Sequence, residues 1–282
     1  VSSAASDVYK RQPWCSPVSV TSGTEQRNRI IADLSLTGRE MCRALSDATD
    51  AWLNGLFAAA TEGVKGHFAL VATGGYGRGE LAPFSDLDVL LLHDSPRTVG
   101  EVAEKLWYPI WDASKGADKI KLGHAVRTVK EAKQLAADDL DTATALLTCR
   151  YLAGDEGLSA DLIGAIAGDW RSRRTQWLAA LAAGAAARPA TSGEAAFLLE
   201  PNLKDSSGGL RDIHALRWAE AAGALLDPMD RAALGEAEET LLTIRVALHR
   251  STGRAGDVLF LQEQDAVALM AGFADADRLM AA

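Results

Sequence analysis

The chain has 282 residues, 48% hydrophobic and 24% charged, which is enough for one large or two ordinary domains, each with a real core. Its formal net charge of -9 argues against a broad electrostatic grip on nucleic acid or an acidic membrane, though not against a nucleotide, which needs only a local cation or a metal ion. Cys15, Cys42 and Cys149 are widely scattered; they fit neither a disulfide framework nor a zinc site and suit a reducing cytoplasm.

The chain opens VSSAASDVYKRQ, a stretch without apolar periodicity, and residues 1–23 are expected to be a disordered or non-native tail. Nothing there reads as a signal peptide. Between 24 and 60, Ile30, Ile31, Leu34, Met41, Leu45, Trp52, Leu53 and Leu56 recur at three-to-four spacing, which predicts a long amphipathic helix. HFALVAT, residues 67–73, is a short apolar run closed by Gly-Gly, a strand entering a tight turn. LDVLLLH, residues 87–93, is a second strand, apolar enough to be central in its sheet. A helix follows from about Val99 to Trp111, and KIKLGHAVRT, residues 119–128, reads as a third strand.

From Val129 onward the pattern is mostly helical and rich in Ala and Leu. Its longest uncharged apolar run, 177–187, is too short and too alanine-rich to span a bilayer, so no membrane partner is expected. The small-residue stretch 184–193, containing Pro189, reads as a linker. FLLEPNLKDSSGGLRDIHALRW, residues 197–218, breaks the helical pattern at its Pro, Asn, Ser-Ser and Gly-Gly, and RDIHALRW restarts it. That breaker carries Glu200, Lys204, Arg211 and Asp212, an unusual load for a plain connector. Trp107, Trp111, Trp170, Trp177 and Trp218 fall on helices and are expected in the core. The final FADADRLMAA stops inside a helical pattern, as expected of a fragment.

The predicted class is α/β. A small mixed sheet with a leading helix occupies residues 24–140, and an all-helical domain over 141–282, truncated at its C-terminus, closes over a cleft.

The chemistry concentrates in GGYGRGELAPFSDLD, residues 74–88. Strand side chains alternate faces, so Asp86 and Asp88 are predicted to share one face about 6 to 7 Å apart, while Leu87, Val89 and Leu91 enter a core. Two carboxylates so placed can hold divalent ions for in-line displacement at phosphorus, and hard oxygen ligands select Mg²⁺ or Mn²⁺ over zinc. Gly74 and Gly75 allow a sharp turn with bare amides near a phosphate, and Arg78 could grip phosphate oxygens with two donors. No Lys follows as in a P-loop, and the glycines lack dinucleotide-fingerprint spacing.

Gly-Gly followed by Asp-apolar-Asp resembles the signature of the nucleotidyltransferase superfamily that includes the DNA polymerase β-like enzymes. The longer string GGYGRGELAPFSDLDVLLL is similar to the bifunctional uridylyltransferase/uridylyl-removing enzymes of bacterial nitrogen control. EPNLKDSSGGLRDIHALRW, GHAVRT and TATALLTCRYLAGD resemble further blocks of that family, so the resemblance spans about residues 25–282.

The resemblance implies transfer of UMP from UTP to a tyrosine of the small signalling protein PII. Asp86 and Asp88 would hold Mg²⁺; Gly74 and Gly75 would line the triphosphate, with Arg78 and Ser85 as further contacts and Lys204 and Arg211 facing the cleft. Many superfamily members use a third carboxylate, for which Asp139 and Asp141 are candidates, although Asp139 equally suits a helix N-cap. His124 reads as a structural strand residue rather than a base. The family's uridylyl-removing activity belongs to an HD phosphohydrolase domain followed by glutamine-sensing ACT domains; the needed His/Asp cluster is not found in this sequence, so transferase machinery alone is expected. Two alternatives remain at this point, a related adenylyltransferase using ATP and a catalytically silent nucleotide-binding module.

Overall fold

Four strands, β1 (Phe68–Ala72), β2 (Leu87–His93), β3 (Leu122–Arg127) and β4 (Arg150–Gly154), form one sheet in the order β3-β2-β1-β4. β2 runs parallel to β3, and β1 is antiparallel to both β2 and β4, so the sheet is mixed. The computed structural model describes residues 17–113 and 120–282; most of the expected N-terminal tail and Lys119 of the expected third strand lie outside the described residues.

The expected leading helix is two helices, α1 (Pro17–Ala32) and α2 (Gly38–Thr61). The break falls where Asp33 Oδ1 accepts from the Ser35 amide and hydroxyl, a side-chain turn that competes with helix continuation. Two further corrections lie in the second half. β4 falls inside a stretch expected to be helical; five residues among Ala- and Leu-rich neighbours carry too little periodicity, and pairing with β1 decides their state. The expected linker at 184–193 is almost entirely helix, the end of α8 (Arg174–Ser192), because alanine propensity outweighs Gly184 and Pro189.

Apolar alternation in the strands gives the sheet two packed faces. Leu87, Val89 and Leu91 enter one core with Met41, Leu45 and Leu53 of α2 and Leu106 and Ile110 of α4 (Val99–Ala113). Ala69, Val71, Leu90 and Leu92 enter another with α5 (Val129–Asp138), α6 (Leu140–Leu147) and α7 (Glu156–Ser172). Each fully buried leucine contributes about 1.5–3 kcal/mol relative to exposure, which locks strand register. A third core gathers Leu203, Leu248, Leu259 and Val267 beneath α10 (Pro228–Thr252) and the helices after it.

Of the tryptophans expected in the core, Trp107, Trp170 and Trp177 are buried and Trp218 is half-buried. Trp111 is a correction: it is 40% exposed, one turn beyond Trp107, edge-on to the His124 and Tyr108 rings. Among the described residues no helix is long and apolar enough to cross a membrane, and Cys42 and Cys149 are free.

Candidate active site

β1 delivers the chain into a single helical turn, α3 (Gly74–Gly77), with Gly74 at φ 57°, a left-handed value that a side chain would strain. The Thr73 amide donates to the Asp88 carbonyl at 2.9 Å, fixing this turn against the start of β2. Asp86 lies just ahead of β2 with its side chain 53% exposed, while Asp88 is partly buried as the strand's second residue. Burial raises the Asp88 carboxyl above its ordinary range, the nearby Asp86 charge raises it further, and Lys204 partly offsets both. Gly123 faces Asp88 across the parallel ladder, and a Cβ there would fall 2.1 Å from Asp88 Oδ1. The glycine of GHAVRT is therefore the space into which the carboxylate fits.

A cavity of about 270 Å³ opens beside the pair. Gly75, Arg78, Ser85, Asp86, Asp88 and Lys204 line it, so six of the eight residues singled out from sequence converge. Gly74 shapes the turn against Asp88 rather than lining the cavity. Arg211 does not line it: its Nε donates to Asp205 Oδ1 at 2.7 Å, and both side chains are 39% exposed. Glu200 accepts from the Leu261 amide and Asp212 from Arg188 and the Gly208 amide, so both serve the local fold. Lys121, whose Nζ is 3.8 Å from Asp86 Oδ1, adds a cation, as does Arg245 of α10.

The PNLK loop holds Lys204 at the cavity by local chemistry. Asn202 Oδ1 accepts from the Lys204 and Asp205 amides, an Asx turn, and the Leu203 amide donates to the Asp257 carbonyl at 2.7 Å. His249 of α10 is fully buried and hydrogen-bonds the Pro83 carbonyl through Nδ1, tying the helical half to the turn before Asp86. In that turn Phe84 has φ 63°, a conformation costing a bulky residue about 1–3 kcal/mol and concentrated at functional sites. Arg245 Nε donates to Asp257 Oδ1 at 2.6 Å; burial pushes the Asp257 carboxyl up, but His249 and Arg245 outweigh it and hold it well below the usual range.

A second acidic cluster lies deeper. Glu80 Oε2 accepts from Arg78 Nε at 2.8 Å and faces His214 Nε2 at 3.1 Å, with Glu238 Oε1 3.9 Å from the same ring nitrogen. Glu238 is also paired with Arg39 and Arg217. The three groups could meet one cation, but three guanidiniums already neutralise the two carboxylates, so the cluster acts as a bridge between the glycine turn, α2, α9 (Leu210–Ala221) and α10. Burial alone would raise Glu80; His214 and Arg78 prevail and bring it down to about 2. Burial lowers His214 below its ordinary value, against the opposing pull of Glu80 and Glu238.

The candidates for a third acid separate. Asp139 Oδ2 accepts from the Thr142 amide at 2.8 Å and caps α6. Asp141 instead lines a neighbouring cavity that also reaches Asp88. His124 packs between Trp107 and Trp111, at centroid distances of 5.3 Å and 5.4 Å, as a strand residue.

Residues 62–141, which contain the glycine turn and the aspartate pair, match the profile of the nucleotidyltransferase domain, and residues 176–282 match that of the GlnD PII-uridylyltransferase family. The chain is 49% identical over 256 residues to a bifunctional uridylyltransferase/uridylyl-removing enzyme of Streptomyces coelicolor, covering 90% of this chain. The chain belongs to this family. Relatives of the same name from Mycobacterium tuberculosis and Rhodopseudomonas palustris are 41% and 34% identical, covering 74% and 89% of the chain. The chain spans 30%, 26% and 29% of the lengths of these three uridylyltransferase relatives. Within this family member, sequence reasoning passed over Glu80 and His214, although both sit inside the recognised strings GGYGRGEL and LRDIH. Arg245 and Asp257 carry no local signal; the fold brings them to the cavity, Arg245 from α10 and Asp257 from the segment that follows it.

Proposed function

We propose that this chain carries a Mg²⁺-dependent nucleotidyltransferase centre that moves UMP from UTP to a tyrosine of the PII signalling protein, releasing pyrophosphate, in the cytoplasm. The observation that carries the reading is the Asp86–Asp88 pair beside the Gly74–Gly75 turn, in a cavity also lined by the cations Arg78, Lys121, Lys204 and Arg245. The donor set fits a hard divalent cation. Two carboxylates lie close enough for one to raise the other, and the buried Ser85 hydroxyl beside them has no hydrogen-bond partner among the described residues. Bound there by Asp86 and Asp88, Mg²⁺ or Mn²⁺ would neutralise charge building on the α-phosphate and the pyrophosphate.

The protein groups bind and orient. The bare Gly75 backbone allows close approach of the triphosphate, Arg78 is aimed by its bond to Glu80, and Lys204 reaches the aspartates from the PNLK loop. The tyrosine oxygen forms a bond to the α-phosphorus as the bond to the bridging oxygen of pyrophosphate breaks, and the phenolic proton passes to an aspartate of the site. Choice of UTP over ATP follows the names of the relatives.

The test is a Mg²⁺-dependent assay of this 282-residue chain with labelled UTP or ATP and PII protein, run beside the Asp86→Asn/Asp88→Asn variant. The expected outcome is UMP transfer by the parent, little AMP transfer, and none by the variant. Preferred AMP transfer would point to an adenylyltransferase, and equal transfer by parent and variant would sink the metal assignment.

A further inference from the structure

A second cavity, of about 490 Å³, shares Asp88 with the first and is otherwise lined by different residues. Strand alternation explains its shape. Asp88 and Leu90 of β2 share a face with their ladder partners Gly123 and Ala125 of β3, and these two small residues leave the face open. Ala132 and Leu135 of α5 and Ala145 and Leu146 of α6 form the opposite wall, with Leu135 49% exposed to the open groove. Arg127, Asp141 and Thr142 supply its polar positions. The groove is therefore apolar along its walls and ends at a carboxylate of the candidate centre. Gly123, His124, Ala125 and Arg127 of GHAVRT and Thr142, Ala145 and Leu146 of TATALLTCRYLAGD line it, so two of the quoted blocks meet here.

The two cavities differ in the way an in-line displacement requires. The first holds the cations Arg78, Lys121, Lys204 and Arg245, which suit the triphosphate and its departing pyrophosphate. An attacking oxygen must then approach the α-phosphorus from the side away from the leaving group. Asp88 is common to both spaces, so the second cavity is where such an oxygen would arrive. Its volume lies within the roughly 300–1,000 Å³ typical of ligand pockets, and its apolar walls suit a planar ring better than a phosphate.

We propose that this groove between β3 and the α5–α6 pair is the acceptor subsite, taking the phenol side chain of the partner protein with its ring along Leu90, Ala125 and Leu146 and its oxygen at Asp88. The proposal rests on the uridylyltransferase reading above. Because β3 is the edge strand of the sheet, the groove is open to a loop of another protein without unfolding this one.

Two variants fill or charge the groove without touching the first cavity, Ala145→Leu from α6 and Leu135→Glu from α5. With PII protein as acceptor and Mg²⁺-UTP as donor, both are expected to lower UMP transfer at least tenfold, mainly through a higher KM for PII, while equilibrium binding of labelled UTP stays within twofold of the parent. Independently, PII carrying a photo-crosslinking benzoylphenylalanine in place of its acceptor tyrosine is expected to label Leu135 or neighbouring residues of α5 and α6 in the unmodified chain. Parent-like transfer by both variants, or labelling confined to other surfaces, overturns the subsite and leaves the transferase reading standing. Loss of UTP binding in both variants, with circular dichroism like the parent's, also overturns it, because the groove would then hold nucleotide. A parent chain that neither binds UTP nor transfers UMP overturns both readings.

Discussion

Two acidic clusters lie against one cavity and are electrostatic opposites. At Asp86 and Asp88 two carboxylates lie close together, with Lys121 3.8 Å from Asp86, and burial and mutual repulsion raise Asp88. At Glu80 and Glu238, deeper in the molecule, arginines compensate the charge, His214 stands 3.1 Å from Glu80, and Glu80 is held at about 2. The residue types are nearly the same. Uncompensated acid marks a place for a cation to be bound, whereas compensated acid marks a joint between elements, because burying unpaired charge is costly unless a ligand relieves it.

The largest expected contrast comes from neutralising one acid in each cluster. Asp86→Asn should reduce Mg²⁺-dependent transfer at least about a hundredfold while leaving thermal stability unchanged or slightly raised, since it removes a repulsion. Glu238→Ala should cost about 3 kcal/mol in denaturant unfolding, the lower end for a broken buried pair because Arg39 and Arg217 reach water. If Glu238→Ala leaves stability untouched and instead abolishes cation binding, the deeper cluster is a metal site and the contrast fails.

Next in size is Gly123→Ala. The added Cβ would meet Asp88 Oδ1 at 2.1 Å, so the carboxylate must swing aside. Transfer is expected to fall about tenfold or more, with a Tm change of only a few degrees. A parent-like rate would show that the Asp88 position seen here is not the one used.

Acid titration separates the clusters by sign. Glu80 has a folded value of about 2, below its ordinary 4.5, so its contribution is complete above pH 4.5 and is lost as pH falls toward about 2. Asp88 is raised, so its ionisation is relatively unfavourable in the fold, and its contribution is present below its ordinary value and lost as pH rises through the folded one. Unfolding free energy between pH 5 and 2.5 should therefore fall less steeply in Glu80→Gln and more steeply in Asp88→Asn than in the parent.

The smallest expected effect concerns two cations of the PNLK–GGLRD segment. Lys204→Ala should raise the UTP KM about tenfold, whereas Arg211→Ala should stay within about twofold, because Arg211 pairs with exposed Asp205 outside the cavity. An equal loss in both would return Arg211 to the nucleotide.

Much of the site was legible because its signals are local. A Gly-Gly turn needs a left-handed φ at Gly74, and Asp-Leu-Asp at the head of an apolar strand fixes which side chains face a core and which do not. The leading helix and the third strand were legible for the same reason, apart from the Asp33–Ser35 break. β4 was not, because five residues become a strand only when β1 offers an edge.

By itself, then, the sequence determined the mixed α/β class, the glycine turn, the aspartate pair and Lys204 as its neighbour. All of these follow from backbone preference and side-chain alternation within about twenty residues, or from a string long enough to be specific. Tertiary structure alone decided that Gly123 makes room for Asp88, that Arg245 of α10 and Asp257 just beyond it reach the cavity, and that Arg211 turns away to Asp205. It also decided that Glu80 and His214 form a bridge, since charge compensation depends on which arginines the fold brings within reach, and those come from residues 39, 78 and 217.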